Sequence, residues 1–345
     1  MYEPLKNLQL NKPEPIILGI ESSCDETAAA VIKGRKILSD EIASSANIQA
    51  KFGGVVPEIA SRAHTDFIAE VVERAVKNAG ITYEDIDAVA VTYGAGLLGA
   101  LLVGVSFAKA FAYALNKPLI AVNHIRGHLA AAYLDCTELK PPFVTLLASG
   151  GHTAILYADS EAEFEILGAT LDDAAGEAFD KIGRVIGMPY PGGAALDKLA
   201  YEGDPKAIKL PSPALQNSID FSFSGIKTAA LNYINSATQK GEEINRADLA
   251  ASYTKAIVDA IVKQTAAAID QTGLKRLVLA GGVAANSHLR SALEEMCKKK
   301  KVTFTVPSRA LCGDNGAMIA VSGCFEYLAG KRADTSLNAS ALDEM

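Results

Sequence analysis

From residue 16 the chain runs apolar (Ile16 to Ile20), polar (Glu21 to Glu26) and apolar again (Thr27 to Ile32), which predicts two strands joined by a tight polar turn. A turn at Gly34 leads into a third strand over Lys36 to Ala43. Helical spacing of apolar residues follows over Pro57 to Ala79 and Leu97 to Leu115, with short buried strands expected at Ile86 to Val91 and Leu119 to Asn123. The longest apolar stretch, Leu97 to Ala108, stops at Lys109; it is too short to span a bilayer and reads as a fully buried helix.

After Pro141-Pro142 the same order starts again. Strands are expected at Phe143 to Ala148, Thr153 to Tyr157 and Phe164 to Gly168, then helices at Ala174 to Ile186, Ala194 to Tyr201 and Ala247 to Ile269. A strand at Leu277 to Ala280 ends in Gly281-Gly282, and a last strand, Thr303 to Val306, precedes a helix from about Gly313 to Leu328. Leu210 to Phe223, rich in Pro and Ser, reads as a long exposed loop. A hairpin-led strand triplet followed by alternating helices and strands, occurring twice, indicates an internal duplication. The pattern resembles the actin, sugar kinase and Hsp70 superfamily, in which two such halves clasp a nucleotide. The expected fold is therefore a duplicated two-domain α/β architecture with a central cleft. Residues 1–138 would form the first domain and 139–310 the second, with a C-terminal helix in 311–345 packing back on the first.

Composition sharpens this picture. The 345 residues are 49% hydrophobic, enough for two ordinary cores. There are 33 basic against 40 acidic residues, a formal charge of -7, so no global positive field draws the chain onto nucleic acid or an anionic membrane. Five scattered cysteines without CxxC spacing suggest neither a disulfide framework nor a zinc ribbon, and Met1 to Pro15 has no signal-peptide apolar region, so a cytoplasmic setting is expected. Lys298 to Lys301, the one strong basic run, suits a helix C-terminus in solvent better than an RNA contact.

Several segments could carry chemistry. Glu21-Ser22-Ser23-Cys24-Asp25-Glu26 places hydroxyls and carboxylates in a turn between strands, either as a phosphate or metal-water contact or as a plain acidic hairpin tip. Gly94-Ala95-Gly96 opens a helix but lacks the GxGxxG fingerprint; close packing competes with anion binding. Ser149-Gly150-Gly151 and Gly281-Gly282 both follow buried strands, where α/β proteins place ligands, and Asn286 and Pro191-Gly192-Gly193 add to a nucleotide cradle. His124 and His128 stack on one helical face and could share a metal ion, with Asp314 as the best third ligand; two surface or capping histidines are the alternative. Zincins use this spacing too, but need Glu after the first histidine, where Ile125 stands.

Taken together, Ile17 to Thr27 (ILGIESSCDET), Gly54-Val55-Val56-Pro57-Glu58, Asn123-His124 with His128, Ser149-Gly150-Gly151-His152-Thr153, and Gly281-Gly282-Val283 with Asn286 resemble the TsaD family of bacterial tRNA threonylcarbamoyladenosine transferases, formerly taken for glycoproteases. The resemblance runs from about Ile16 to Leu328. It implies transfer of a threonylcarbamoyl group from threonylcarbamoyl-AMP to the exocyclic amine of the adenosine 3′ of the anticodon in ANN-decoding tRNAs, releasing AMP. It implies that His124, His128 and Asp314 hold one divalent metal ion, iron ahead of zinc. Leu147, Ala148, Ser149, Gly150, Gly151, Asp180, Gly193, Asp197 and Asn286 would contact the substrate. Ala148 stands where the family often has Val, a change of packing in a loop that would act through its backbone. The chemistry needs a clamp on AMP, a Lewis acid and a group for the amine proton; Asp180 and Asp197 suit the ribose hydroxyls, and Asp25 is assigned the proton. Implied partners are tRNA, a TsaB-like paralogue and a TsaE-like ATPase, with no membrane. The rival readings are an ATP-dependent kinase of the same superfamily and a regulatory module of the Hsp70 sort.

Overall fold

The computed structural model describes residues 12–161 and 163–341. They form two compact units, one running up to Leu139 and resuming at Gly313, the other Lys140–Cys312.

The first unit is built on a five-stranded sheet in the order β3-β2-β1-β4-β5. Strands β1 (Ile16–Glu21), β2 (Glu26–Lys33) and β3 (Lys36–Ser44) form an antiparallel meander, whereas β4 (Ala88–Gly94) and β5 (Leu119–Asn123) join parallel. A short helix, α1 (Ala46–Gln49), follows the meander, and α2 (Pro57–Asn78), α3 (Leu98–Leu115) and α4 (His124–Asp135) complete the first pass of the chain. Because side chains alternate across a strand, both sheet faces need cover. Leu18, Ile20, Val89 and Val91 pack with Ile68 and Val72 of α2 and Val105 of α3. Ile17, Ala88, Ala90 and Val122 pack on the other side with Ala130 of α4 and Met318 and Ile319 of the last helix.

The second unit repeats the plan. Its sheet order is β10-β9-β6-β7-β8, with β6 (Phe143–Ala148), β7 (Thr153–Ala158) and β8 (Phe164–Ala169) antiparallel and β9 (Arg276–Ala280) and β10 (Thr303–Thr305) parallel. Helices α5 (Ala175–Val185), α6 (Gly192–Leu199), α7 (Ser224–Lys240), α8 (Arg246–Thr272) and α9 (Ser287–Lys300) surround one core. There Leu146 and Leu279 of the sheet meet Phe179, Ile182, Tyr253, Ile257, Leu289 and Leu293 of the helices. The duplicated strand order expected from the hydrophobic pattern is thus present in full.

Three local readings change. Helix α3 is not fully buried: Ala100, Leu101, Gly104, Val105, Ala108 and Ala112 are covered, while Leu98, Leu102 and Tyr113 are exposed by 48%, 41% and 64%. Only the face rich in small residues reaches the sheet. The segment Leu210 to Phe223 is a loop, but a fastened one. Phe221 and Phe223 are fully buried, and Gln264 Nε2 donates to the carbonyls of Leu215, Ser218 and Asp220. Helix α7 has no counterpart in the sequence reading, because it buries only Ile226, Ala230 and Ala237 and so shows little apolar periodicity.

The chain returns to the first unit through α10 (Gly316–Leu328), capped by Asn315 Oδ1, which accepts from Met318 N at 2.8 Å. This helix lies directly on strand backbone. A methyl group at Gly19 would come within 2.4 Å of Ala320 N, and one at Gly316 within 2.4 Å of Ala30 N. Asp40 of β3 accepts from Gly316 N at 3.1 Å; burial nevertheless pushes its carboxyl up to about 6, against the pull of the Gly316 and Ala317 amides.

Two outcomes follow from this docking. Gly316→Ala should destabilise the chain by about 1–3 kcal/mol through overpacking, whereas Gly313→Ala, with nothing within 4 Å of its added methyl, should leave the melting temperature close to that of the parent. Because the folded pKa of Asp40 is raised, its contribution to stability is full below about pH 4 and is lost as pH rises through about 6. Asp40→Asn lacks this loss, so the unfolding free energy of the variant minus that of the parent should rise by on the order of 2 kcal/mol between pH 4 and 7. A flat difference in denaturant titrations over that range would show that the carboxyl is not desolvated.

Candidate functional site

In the first unit, Asn123 ends β5 and its side chain accepts from Ile125 N and Arg126 N, which starts α4 at His124 and sets His128 one turn on. Both histidines are buried, 6% and 1% exposed. Asp314, just before the cap of α10, places Oδ1 at 3.2 Å from His128 Nε2 and 3.6 Å from His124 Nε2. One ligand atom from each of the three residues can be chosen so that all lie within 4.8 Å of one another. Neither ring nitrogen of His128 has a hydrogen-bond partner among the described residues, despite full burial. Burial holds this ring below the ordinary histidine range, so it is neutral at pH 7 and has a lone pair to give. Two buried imidazoles and a half-buried carboxylate form a donor set that fits a divalent cation and leaves positions open.

The turn at residues 21 to 26 is not a solvated hairpin tip. Ser22 and Ser23 are buried, and Ser22 Oγ donates to Ala100 O of α3. Ser23 Oγ stands 3.1 Å from His124 Nδ1. His64 of α2, fully buried, spans Thr27 Oγ1 at 2.7 Å and Cys24 O at 3.0 Å. Burial pushes the Glu26 carboxyl up to about 9, helped by a hydrogen bond and charge from Asp25, so Glu26 holds a proton at neutral pH beside the Asp25 carboxyl. Gly96 belongs to the packing of this turn: a methyl there would lie 2.6 Å from Ser23 O, which accepts from Leu97 N. Close approach, rather than anion binding, accounts for this glycine.

Sequence reasoning passed over Glu21 as an individual site residue. It is fully buried, accepts from Thr92 Oγ1 at 2.7 Å and faces His124 Nδ1 at 3.0 Å. Burial alone would raise this carboxyl, but the His124 ring and a hydrogen bond from Ser23 outweigh it and hold it below the ordinary value. The signal available was a lone acidic residue closing an otherwise apolar strand.

In the second unit, Leu147 and Ala148 are fully buried at the end of β6, so the exposed part of this segment begins beyond them, at Gly150 and Gly151. Ser149 N donates to His152 O and His152 N to Ser149 Oγ, which closes a tight turn carrying Gly150 and Gly151. A methyl on either glycine, or on Gly282, would find nothing within 4 Å, so these backbones face open space. Gly281 instead packs on Ala148 O, which brings the ends of the parallel strands β6 and β9 together. Asp180 Oδ1 accepts from Gly193 N at 2.7 Å, joining those two residues. Asn286 caps α9, and the Asp197 carboxylate accepts from Ser287 N, from Ser287 Oγ at 2.8 Å and from His288 Nδ1 at 2.8 Å. Asp197 is therefore committed to the start of α9, and a ribose hydroxyl there would join or displace these donors. The Lys298 to Lys300 run is paired with Glu294, Glu295 and Asp270, at 2.8, 2.6 and 2.6 Å, as a solvated helix terminus would be.

Comparison with known proteins adds to this geometry. Residues 36–321 match the model of the TsaD family, described as tRNA N6-adenosine threonylcarbamoyltransferase. A protein of that name from Clostridium botulinum (strain 657 / Type Ba4) is 54% identical over 325 residues, covering 94% of this chain and 96% of the relative. Another of that name, from Clostridium novyi (strain NT), is 54% identical over 326 residues with the same coverage. Among solved structures, full-length HypF in its phosphate- and nucleotide-bound form aligns with a TM-score of 0.61 at 17% identity, over 96% of this chain and 48% of HypF. At that identity the likeness speaks for fold alone, the duplicated actin, sugar kinase and Hsp70 type.

Proposed function

The chain belongs to the TsaD family and is a tRNA N6-adenosine threonylcarbamoyltransferase, and from that premise we propose how its residues divide the work. A kinase reading is not favoured, since the relatives matched over nearly their full length carry the transferase name. The donor is threonylcarbamoyl-AMP, and the acceptor is the adenosine 3′ of the anticodon in ANN-decoding tRNAs. The N6 amine attacks the carbamoyl carbon, a C–N bond forms, the C–O bond to phosphate breaks, and AMP leaves with that oxygen. The acceptor base sits in a single-stranded loop, where turning it out costs little.

Leu147 to Gly151 supply the backbone cradle for the adenylate, supported by the open faces of Gly150, Gly151 and Gly282. Asp180 with Gly193, and Asp197 beside Asn286, hold the ribose end. Asp25 takes the amine proton, and burial together with the Asp25 charge raises the neighbouring Glu26 carboxyl. His124, His128 and Asp314 hold one divalent ion, iron ahead of zinc. The observation that carries this assignment is the buried His128 ring without a hydrogen-bond partner, next to Asp314 and His124. When bound, such an ion supplies a Lewis acid for the carbonyl or phosphate oxygen.

Partner proteins enter through charge. A chain that held a whole tRNA alone would show a broad basic surface, because phosphate contacts supply much of the affinity. Here 33 basic residues face 40 acidic ones, and Lys298, Lys299 and Lys300 are neutralised by carboxylates. This balance supports a tRNA grip shared with other proteins; the resemblance to the family implies that these are a TsaB-like paralogue and a TsaE-like ATPase in the cytoplasm, with a separate synthase making the donor.

His124→Ala should abolish bound metal and transfer while circular dichroism still reports a folded protein. Retention of full metal content by elemental analysis would remove His124 from the ligand set. In multiple-turnover assays with saturating donor, read by mass spectrometry of tRNA nucleosides, the chain alone should give little sustained modification and the reconstituted set should restore it. Equal rates would show that it needs no partners.

A further inference from the structure

Glu21 has a consequence for the metal site that the ligand triad does not contain. A carboxylate at the end of a buried strand is costly to desolvate, and it persists only where its oxygens are met by donors. Oε1 accepts from Ser23 N; Oε2 accepts from Thr92 Oγ1 at 2.7 Å and lies 3.0 Å from His124 Nδ1. Thr92 sits on β4, next to β1 in the sheet, so three separate segments hold this carboxylate in one place. Nδ1 of His124 faces this carboxylate oxygen, which can only accept, and Ser23 Oγ at 3.1 Å, which can accept as well, so Nδ1 is the nitrogen that carries the proton. Nε2 is then left with its lone pair, on the side where Asp314 Oδ1 and the His128 ring stand. A free imidazole prefers the opposite tautomer, with the proton on Nε2, which would block that nitrogen as a ligand.

We propose that Glu21 is a positioning residue that fixes the tautomer and ring orientation of His124 and so makes it competent to bind the metal. This rests on the assignment of His124, His128 and Asp314 as ligands. His128 offers a contrast: its Nδ1 has no hydrogen-bond partner among the described residues, and the carboxylate facing its ring, Asp314, stands at Nε2 at 3.2 Å, so Glu21 has no hold on its tautomer. The rival account is that Glu21 only braces the Ser23 turn and Thr92. Bracing alone would be insensitive to where the His124 proton sits.

The experiment uses the metal-free full-length chain, whose five histidines keep nitrogen-15 imidazole spectra simple to assign. The wild-type spectrum should show His124 protonated on Nδ1; a proton on Nε2 overturns the proposal outright, whatever any variant does. Glu21→Gln keeps the size of the side chain but offers one acceptor oxygen instead of two, so it cannot serve Ser23 N, Thr92 and His124 equally. Its His124 signals should shift toward the Nε2-protonated form while those of His128 stay in place. Affinity for zinc or cobalt(II), measured by chelator competition, should fall by about 10–100-fold, the usual consequence of removing a carboxylate behind a metal-bound histidine. Equal affinity in parent and variant overturns the role of Glu21 alone. A fall in affinity with the His124 tautomer unchanged also overturns it, because charge and not positioning would then be responsible. A wild-type chain that takes up neither metal instead overturns the ligand assignment beneath it.

Discussion

The contact on which the metal-site geometry depends is the near-touching of α10 and the β1–β2 hairpin. Helix and strand backbones meet there through Gly19 and Gly316 with no room for a side chain. That closeness lets Asp314, the residue two before Gly316, come within reach of two histidines on α4. Asp40 and Asn315 fasten the same end of the helix from opposite chemical sides, one through β3 and the other through the helix's own first turn. A looser α10 would still cover Ile17 and Ala90 but would leave the carboxylate short of the imidazoles.

The candidate sites of the two units are built by different physics. In the first, buried Glu21, His124 and His128 and half-buried Asp314 face one another at 3.0 to 3.6 Å, so each meets a polar neighbour in place of lost water. In the second, the candidate residues border gaps: glycine backbones with empty space in front of them, near strand ends drawn together by the Gly281 to Ala148 contact. The first arrangement suits a ligand chosen by charge and coordination geometry, the second one chosen by shape and by acceptors that backbone amides can meet.

Much of this is legible in the sequence. Alternating apolar runs located the strands of both sheets, because buried strands demand continuous apolar character, and the repetition of the order exposed the duplication. The i, i+4 spacing of His124 and His128 pointed to one helical face, and Asp314 was found through its place before a helix. What escaped did so for physical reasons. Helix α7 buries too little to leave a periodic trace. Gly96 and Gly150 look alike in sequence, and only three dimensions reveal that one abuts Ser23 while the other faces open space. Glu21 was hidden in an acidic turn motif, where composition suggests solvent and the fold supplies Thr92 and His124 instead.

The chain leaves the first unit at Leu139 and comes back at Gly313, so one face of the first sheet receives α10 only after the whole second unit has been made. On the ribosome, Ile17, Ala88, Ala90 and Val122 are synthesised early and wait for Met318 and Ile319, which come near the end. The histidines on α4 likewise stand without their carboxylate partner for most of synthesis. Order of manufacture therefore delays the meeting of Asp314 with His124 and His128, and the cover of Met318 and Ile319 over Ile17 and Ala90, until the second unit has been made.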